Sequence, residues 1–179
     1  NGGSLLGKEI IWETRVRYVT PKYFWFALWT SGDHWSYGAE MDVVESFGYE
    51  NPGGYTNFDG RYWHVASVGG TDATNYNSGW GSAMSSYGIT SYDATQYHIW
   101  TWLYRADNTY VVYVDGTQVQ SGTLNWTDGA GPTDNPTDMS FIIDAAWGHN
   151  LVSGVNHSLA ASELAGTYYE FDYSRVYLR

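Results

Sequence analysis

Residues 11–19, Ile-Trp-Glu-Thr-Arg-Val-Arg-Tyr-Val, alternate between two sets of side chains. One face of an extended strand would carry Trp12, Thr14, Val16 and Tyr18, and the other would carry Ile11, Glu13, Arg15 and Arg17. Successive side chains of a β-strand point to opposite faces, so this alternation predicts a strand with one face toward a core. The segment therefore favours an all-β fold.

Further strand signals recur along the rest of the chain. Residues 109–114 run into Asp115-Gly116, a dipeptide typical of a tight hairpin turn, and a strand follows at residues 118–120. Other runs predict strands at residues 23–30, 41–47, 62–68, 97–104, 140–146 and 168–178, and only residues 159–165 indicate a short helix. Regularly spaced strands predict one domain over residues 1–179, a two-sheet antiparallel β-sandwich of the concanavalin-like β-jelly-roll type.

The composition of the chain excludes several function classes. Its formal net charge is −11 with only 8 Lys plus Arg, which argues against nucleic acid and strongly anionic polysaccharides as partners and favours a neutral glycan. It has no cysteine, so disulfides, thiol nucleophiles and thiolate metal sites are excluded. The 10 Trp and 17 Tyr exceed what a core needs, and flat rings suit sugar faces, although β-sheets themselves favour these residues.

Targeting signals are absent from the sequence as it stands. No apolar run reaches the ~18 residues of a membrane span, and no signal peptide opens the chain. An acidic, cysteine-free chain rich in Gly, Tyr and Trp is typical of secreted bacterial proteins. We therefore expect an extracellular monomer with no membrane partner, whose targeting segment has already been removed.

The segment Glu40-Met41-Asp42-Val43-Val44-Glu45 places three acids in one predicted strand. Acidic residues are poor strand formers and costly to bury, and departures of this kind concentrate at functional sites. Glu40 and Asp42 are two apart and share a face, whereas Glu45 would point the other way on a regular strand. A β-bulge at Val43-Val44 would return Glu45 to the face of the other two.

With that bulge, the three acids predict a double displacement at a glycosidic bond. The backbone between Glu40 and Glu45 would span roughly 13 Å, and two inward-leaning arms would bring the carboxyls to the ~5–5.5 Å that a retaining glycosidase needs. Asp42 would lie between them, hold a proton, and separate the flanking groups into a nucleophile and an acid/base. The alternative is an exposed acidic edge strand that discourages aggregation.

Residues 38–45, Gly-Ala-Glu-Met-Asp-Val-Val-Glu, resemble the active-site strand of glycoside hydrolase family 16. The bulged form is typical of its laminarinase-type endo-β-1,3-glucanases, β-agarases and some exopolysaccharide depolymerases. Other stretches follow in the family's order, at residues 10–17, 25–29, 97–100, 110–116 and 170–177. Phe26, Leu103 and Tyr104 depart from the usual residues, and we expect the chain to lack the N-terminal strands of the family.

The resemblance implies a role for individual residues. It makes Glu40 the nucleophile, Asp42 the assisting acid and Glu45 the general acid/base, with no cofactor for catalysis. It adds to the cleft Glu13, Arg15, Trp25 and Trp29. It also implies that Asp172, on the convex face, is a ligand of a structural calcium ion.

Three further residues are candidate substrate contacts. Trp35 precedes the acids in a loop, where stacking on a sugar and anchoring the loop are both open. Trp147 follows a predicted buried strand and would form either a cleft wall or part of the core. His64 lies in a strand pattern close after the acids, although a strand histidine such as His64 or His98 is more often structural. The five histidines have no metal-ligand spacing.

These observations predict a retaining endo-glycoside hydrolase acting on a neutral β-linked polysaccharide, with laminarin-like β-1,3-glucan first. Within the enzyme class, the alternatives are a β-agarase and a bacterial exopolysaccharide depolymerase. Outside it, the alternative is a non-catalytic, lectin-like module that binds β-glucan on the same scaffold. A lectin has no chemical need for three converging acids, which favours the enzyme.

Overall fold

A computed structural model describes residues 8–19, 24–31, 41–47, 88–89, 95–107, 109–123, 140–147, 165–166 and 168–179. The strands in these ranges are β1 (Ile10–Val19), β2 (Phe24–Ser31), β3 (Met41–Phe47), β4 (His98–Tyr104), β5 (Thr109–Val114), β6 (Thr117–Thr123), β7 (Ser140–Trp147) and β8 (Tyr168–Leu178). Each was predicted from the sequence, to within three residues at either end. The strand predicted at 62–68 and nearly all of the helix predicted at 159–165 lie outside the described residues.

The strands form two antiparallel sheets. The five-stranded sheet has the order β6-β5-β4-β1-β8, and the three-stranded sheet has the order β3-β2-β7. Some neighbouring strands come from distant parts of the chain, since β1 pairs with both β4 and β8. The two-sheet antiparallel β-sandwich predicted from the sequence is confirmed.

The core lies between the sheets and is rich in aromatic side chains. The inward face of β1 carries the side chains predicted from its alternation, because Trp12, Val16 and Tyr18 are all buried. Trp12 contacts Phe141 of β7 with ring centroids 5.1 Å apart, and Tyr18 stacks on Phe26 of β2 at 4.3 Å. Each aromatic side chain buries a large apolar area, so these contacts hold one sheet against the other.

The β5–β6 hairpin turns at Asp115-Gly116, as the dipeptide predicted. Both residues have positive φ, 48° and 79°, which matches the twist of a two-residue hairpin loop. The Asp115 carboxylate also accepts a hydrogen bond of 2.8 Å from the backbone N–H of Ile99, and it lies 2.6 Å from Nδ1 of His98. His98 is therefore a partner of a structural turn, in line with the structural role expected of a strand histidine.

Part of the edge strand β8 is not covered by the opposite sheet. Phe171, Val176 and Leu178 pair with the inward-facing residues Val16, Trp12 and Ile10 of β1. All three are nevertheless exposed, whereas their β1 partners are buried. In the part of the chain that the structure describes, no helix is long and apolar enough to cross a membrane.

Candidate active site

The acidic strand β3 contains the predicted bulge. Val44 is opposite Leu28 of β2, whereas Asp42 is opposite Trp29, so Val43 is one residue more than the partner strand provides. The pairing is regular on both sides of this point. A two-against-one register of this kind defines a β-bulge. The bulge inferred from the spacing of the acids is therefore confirmed.

The bulge returns positions 42 and 45 to one face of the sheet. Glu45 is opposite Ala27 and Asp42 is opposite Trp29, and these two β2 residues are two apart. Residues directly opposite in an antiparallel pair share a face, as do residues two apart on a strand. That face is the outer one, because the intervening Leu28 is buried in the core. Glu40 and the side chain of Glu45 lie outside the described residues.

Asp42 is buried, with 5% of its surface exposed, between Met41 and Val43. The preceding backbone is held by a hydrogen bond of 3.1 Å from the N–H of Met41 to Oγ1 of Thr30. Burying a carboxyl group is costly, and a residue that only discouraged aggregation would gain nothing from it. The solvated acidic edge strand, which was the alternative interpretation, does not fit Asp42.

A further carboxylate on this face, Asp144 of β7, was missed by the sequence analysis. Asp144 is opposite Ala27 on the other side of β2, so Glu45, Ala27 and Asp144 form one row across three strands. The signal was present, because an acid interrupts an otherwise apolar run at residues 141–147. The local pattern alone did not show that this strand pairs with β2.

Asp144 is paired with an aromatic residue of the same face. The indole N–H of Trp29 donates a hydrogen bond to its carboxylate. The Asp144 side chain is exposed, yet desolvation by neighbouring atoms raises the pKa of its carboxyl above the ordinary value, and the bond from Trp29 opposes that rise. The outer face of the three-stranded sheet therefore carries Asp42, Trp29 and Asp144, with the Glu45 position beside them.

Glu13 and Arg15 lie on the opposite side of the sandwich, which corrects the prediction that they line a cleft with the acids. They alternate with buried residues of β1, so they face outward from the five-stranded sheet. There the hydroxyl of Tyr173 bonds to Glu13, which raises the pKa of Tyr173. Outer faces of opposite sheets cannot line one groove, and local alternation did not reveal which sheet β1 would join.

Asp172 does not fit the implied calcium site. It is the extra residue of a bulge in β8, and its carboxylate oxygen lies 2.6 Å from Nη1 of Arg15. A guanidinium already neutralises this carboxylate, whereas calcium requires a cage of six to eight oxygen ligands. Among the described residues, no group of three or more His, Cys, Asp or Glu side chains could hold a metal ion.

The remaining predicted contacts are only partly placed. Position 25 is opposite Ala146 and shares the outer face with Trp29, so the register agrees with a Trp25 near the acids. Position 147 is opposite Phe24 at the end of the β2–β7 pairing. The side chains of Trp25 and Trp147, and all of Trp35 and His64, lie outside the described residues.

Several solved structures share this fold. The chain aligns with an endo-β-1,3-glucanase from Pyrococcus furiosus (TM-score 0.62, 17% identity, 94% of this chain and 62% of that one). It also aligns with a GH16 protein from Bacteroides ovatus bound to a mixed-linkage glucan product (0.62, 13%, 98% and 71%). A third match is an immunostimulatory antigen and pseudo β-1,3-glucanase of Mycobacterium tuberculosis (0.60, 18%, 98% and 65%).

The likeness to these structures is one of fold. The chain spans roughly two thirds of their length, and the identities are below 20%. No protein-family model matches the sequence, and no curated protein matches it. The comparisons therefore show that this chain shares the fold of these structures.

Proposed function

We propose that this protein is a retaining endo-acting glycoside hydrolase that cuts a neutral β-linked glucan, with β-1,3-glucan as the leading substrate. One observation carries the proposal. The bulge at Val43 brings position 45 onto the outer face of β3 together with the buried Asp42. An ordinary five-residue spacing would have separated the acids.

The reaction uses two glutamates in two steps. Glu40 attacks the anomeric carbon and forms a covalent glycosyl-enzyme, while Glu45 donates its proton to the leaving glycosidic oxygen. Glu45 then takes a proton from water, which attacks the anomeric carbon and releases Glu40. Carboxyl groups are sufficient for this chemistry, and it requires no metal or organic cofactor.

Asp42 separates the roles of the two glutamates in this proposal. It lies between them in the sequence, and the residue is buried, with 5% of its surface exposed. Three carboxylates cannot all ionise at close range without strong repulsion, so a proton shared through Asp42 allows Glu40 to ionise while Glu45 stays protonated.

The choice of substrate class rests on charge and on the neighbouring structures. A net charge of −11 repels polyanions, so a neutral glycan is favoured. Trp29, half-buried on the face of the acids, offers an aromatic surface for a sugar ring. Two structures with this fold are a β-1,3-glucanase and a protein bound to a mixed-linkage glucan product. Because such polymers do not cross membranes, we place the protein outside the cell.

A non-catalytic glycan-binding module is the second candidate. The observation in its favour is that one protein with the same fold is described as a pseudo β-1,3-glucanase. The present chain has all three acids of the predicted apparatus, Glu40, Asp42 and Glu45. A binding module gains nothing from a buried Asp42, so the hydrolase remains the better interpretation.

The test replaces each glutamate by its amide. Glu40→Gln and Glu45→Gln should each lower the hydrolysis of laminarin at least about a thousandfold while the thermal transition and oligosaccharide binding persist. Glu170→Gln is the matched control, because Glu170 pairs with Arg17 on the opposite outer face. Laminarin, lichenan, agarose and bacterial exopolysaccharides would be compared by product size.

The stereochemistry of the product tests the mechanism separately. Proton NMR of the first products should show the β-anomer before mutarotation. An α-anomer would contradict double displacement even if hydrolysis occurred. Near-full activity in either glutamine variant would remove the corresponding glutamate from the mechanism, and binding without hydrolysis by the wild type would select the second candidate.

A further inference from the structure

Asp144 has no role in the proposed reaction, although it lies on the same face as the acids. It lies one strand away from β3, across Ala27, in the same row as Glu45. Adjacent strands are about 4.8 Å apart, so the backbones of positions 45 and 144 are separated by roughly 10 Å. That distance is about the width of two neighbouring sugar rings. A ligand held against the acids would therefore also pass over β2 toward β7.

The residue that lies between them on this face is small. Ala27 has a single methyl group, and it is 3% exposed. Trp29, two residues further along β2, is the large side chain of this strand's described outer face. It stands opposite Asp42 on one side and Ile142 on the other. Trp29 is therefore the aromatic surface closest in register to Asp42.

The hydrogen bond from Trp29 to Asp144 restricts the rotation of that aromatic surface. An indole side chain turns about two side-chain bonds, and its N–H is its one hydrogen-bond donor. Asp144 lies diagonally across the β2–β7 pair from Trp29, within reach of a long aromatic side chain. Its carboxylate accepts the indole N–H, so one rotational position of the ring is favoured.

Holding the ionised carboxyl group of Asp144 at this position costs folding free energy, so packing alone does not explain why an acid is present there. Desolvation raises the pKa of Asp144, which means that its ionised form is disfavoured in the folded chain. The neighbouring residues of β7 are apolar or small at residues 141–143 and 145–146. Departures from local rules of this kind are found mainly at functional sites.

We propose that Asp144 is a positioning residue that holds the Trp29 indole in place for a sugar ring bound beside the acids. The inference deepens the proposed function and rests on it. Asp144 acts through the N–H of Trp29 and not through a contact of its own with the sugar. Its contribution is to binding, because the orientation of the ring is set before any bond is broken.

The experiment is a double-variant cycle on the whole chain. Asp144→Ala should raise both the KM for laminarin oligosaccharides and the Kd measured by calorimetry about tenfold, with kcat within about twofold, since hydrogen bonds to charged groups contribute on that order. Asp144→Asn should restore most of the affinity, because the amide oxygen also accepts the indole N–H. Trp29→Phe keeps a ring but removes the donor. In that background, Asp144→Ala should have no further effect.

The controls separate this role from general damage. Glu170→Gln, on the opposite face, should leave KM, Kd and kcat unchanged. Thermal transitions of all variants should stay close to that of the wild type. A tenfold further loss when Asp144→Ala is added to Trp29→Phe would show a direct contact with the sugar and overturn the proposal. An unchanged KM and Kd in Asp144→Ala would overturn it as well.

Failure of the proposed function gives a different pattern. If the wild type binds oligosaccharides without cutting them and Asp144→Ala weakens that binding, the hydrolase is wrong and the positioning role stands. If the wild type hydrolyses glucan and Asp144→Ala behaves like the wild type, the hydrolase stands and the positioning role is wrong. If the wild type neither binds nor cuts any glycan of the panel, both are wrong.

Discussion

Asp144 and Glu170 are two carboxylates whose surroundings shift their pKa values in opposite directions. Desolvation raises the pKa of Asp144, and the hydrogen bond from Arg17 is the main reason that the pKa of Glu170 is lowered. A raised carboxyl pKa means that the folded state binds the proton more tightly than the unfolded state. Stability then falls as the pH rises through that pKa. For Glu170, the bond with Arg17 stabilises the fold at pH values above the pKa of the unfolded state. That stabilisation is lost as the pH falls through the lowered pKa of the folded state.

Amide substitutions should therefore have opposite effects on stability. At about pH 7, Asp144→Asn should raise the free energy of unfolding by less than ~1 kcal/mol, because the side chain is exposed and solvent screens it. Glu170→Gln should lower that free energy at the same pH. Both differences should shrink toward about pH 3, where the wild-type carboxyls take up protons. Urea unfolding across this range measures them, and a loss of stability in Asp144→Asn at neutral pH would contradict the cost assigned to its charge.

The strand β3 shows how one extra residue changes the chemistry of an element. Without the bulge, the side-chain period of two would direct Glu45 toward the core while Asp42 faced outward. The register shift at Val43 removes this conflict. The element thus combines apolar residues that fill the core with Asp42 on the outer face, and the register places position 45 on the same face.

Changing the number of valines tests the bulge directly. Deleting one of Val43-Val44 leaves a Glu-Met-Asp-Val-Glu strand, whose acids alternate on a regular strand, so the protein should retain measurable hydrolysis despite losing a buried valine. Inserting a third valine should turn Glu45 inward and lower activity at least about a hundredfold, the usual contribution of a general acid. Product assays and thermal unfolding measure both effects. Full activity in the insertion variant would show that the register does not position Glu45.

The whole molecule is strongly acidic, and its charge acts at long range. A net charge of −11 creates a negative electrostatic potential that repels any anionic polymer approaching the protein. Salt screens such repulsion, since the Debye length falls from roughly 30 Å at 0.01 M to roughly 10 Å at 0.1 M. A neutral glucan has no charge on which this field can act.

Ionic strength should therefore separate neutral from anionic substrates. The KM for laminarin should change by less than about twofold between low and moderate salt, whereas the KM for sulfated laminarin should fall several-fold as salt is added. Laminarin that carries the same number of neutral hydroxyethyl groups is the control for the size of the added groups. Equal salt dependence of the neutral and sulfated polymers would indicate that net charge does not select the substrate.

Much of this protein could be predicted from local sequence, because its decisive signals are local. The alternation around Trp12, the turn at Asp115-Gly116 and the spacing from Glu40 to Glu45 follow from a side-chain period of two and from turn geometry. The spacing of the acids also predicted the bulge that the β2–β3 register confirms. These features depend on neighbouring residues alone.

Only the tertiary structure decided which strands would lie side by side. Strand pairing joins residues as far apart in the chain as Ile10 and Leu178, and a local period carries no information about the partner. For that reason Glu13 and Arg15 were expected beside the acids although β1 and β3 belong to different sheets, and Asp144 was overlooked although it bonds to Trp29. The sequence by itself determined the strands and the acids of the proposed reaction. The pairing of β2 with β3 and β7 determined which of those residues meet.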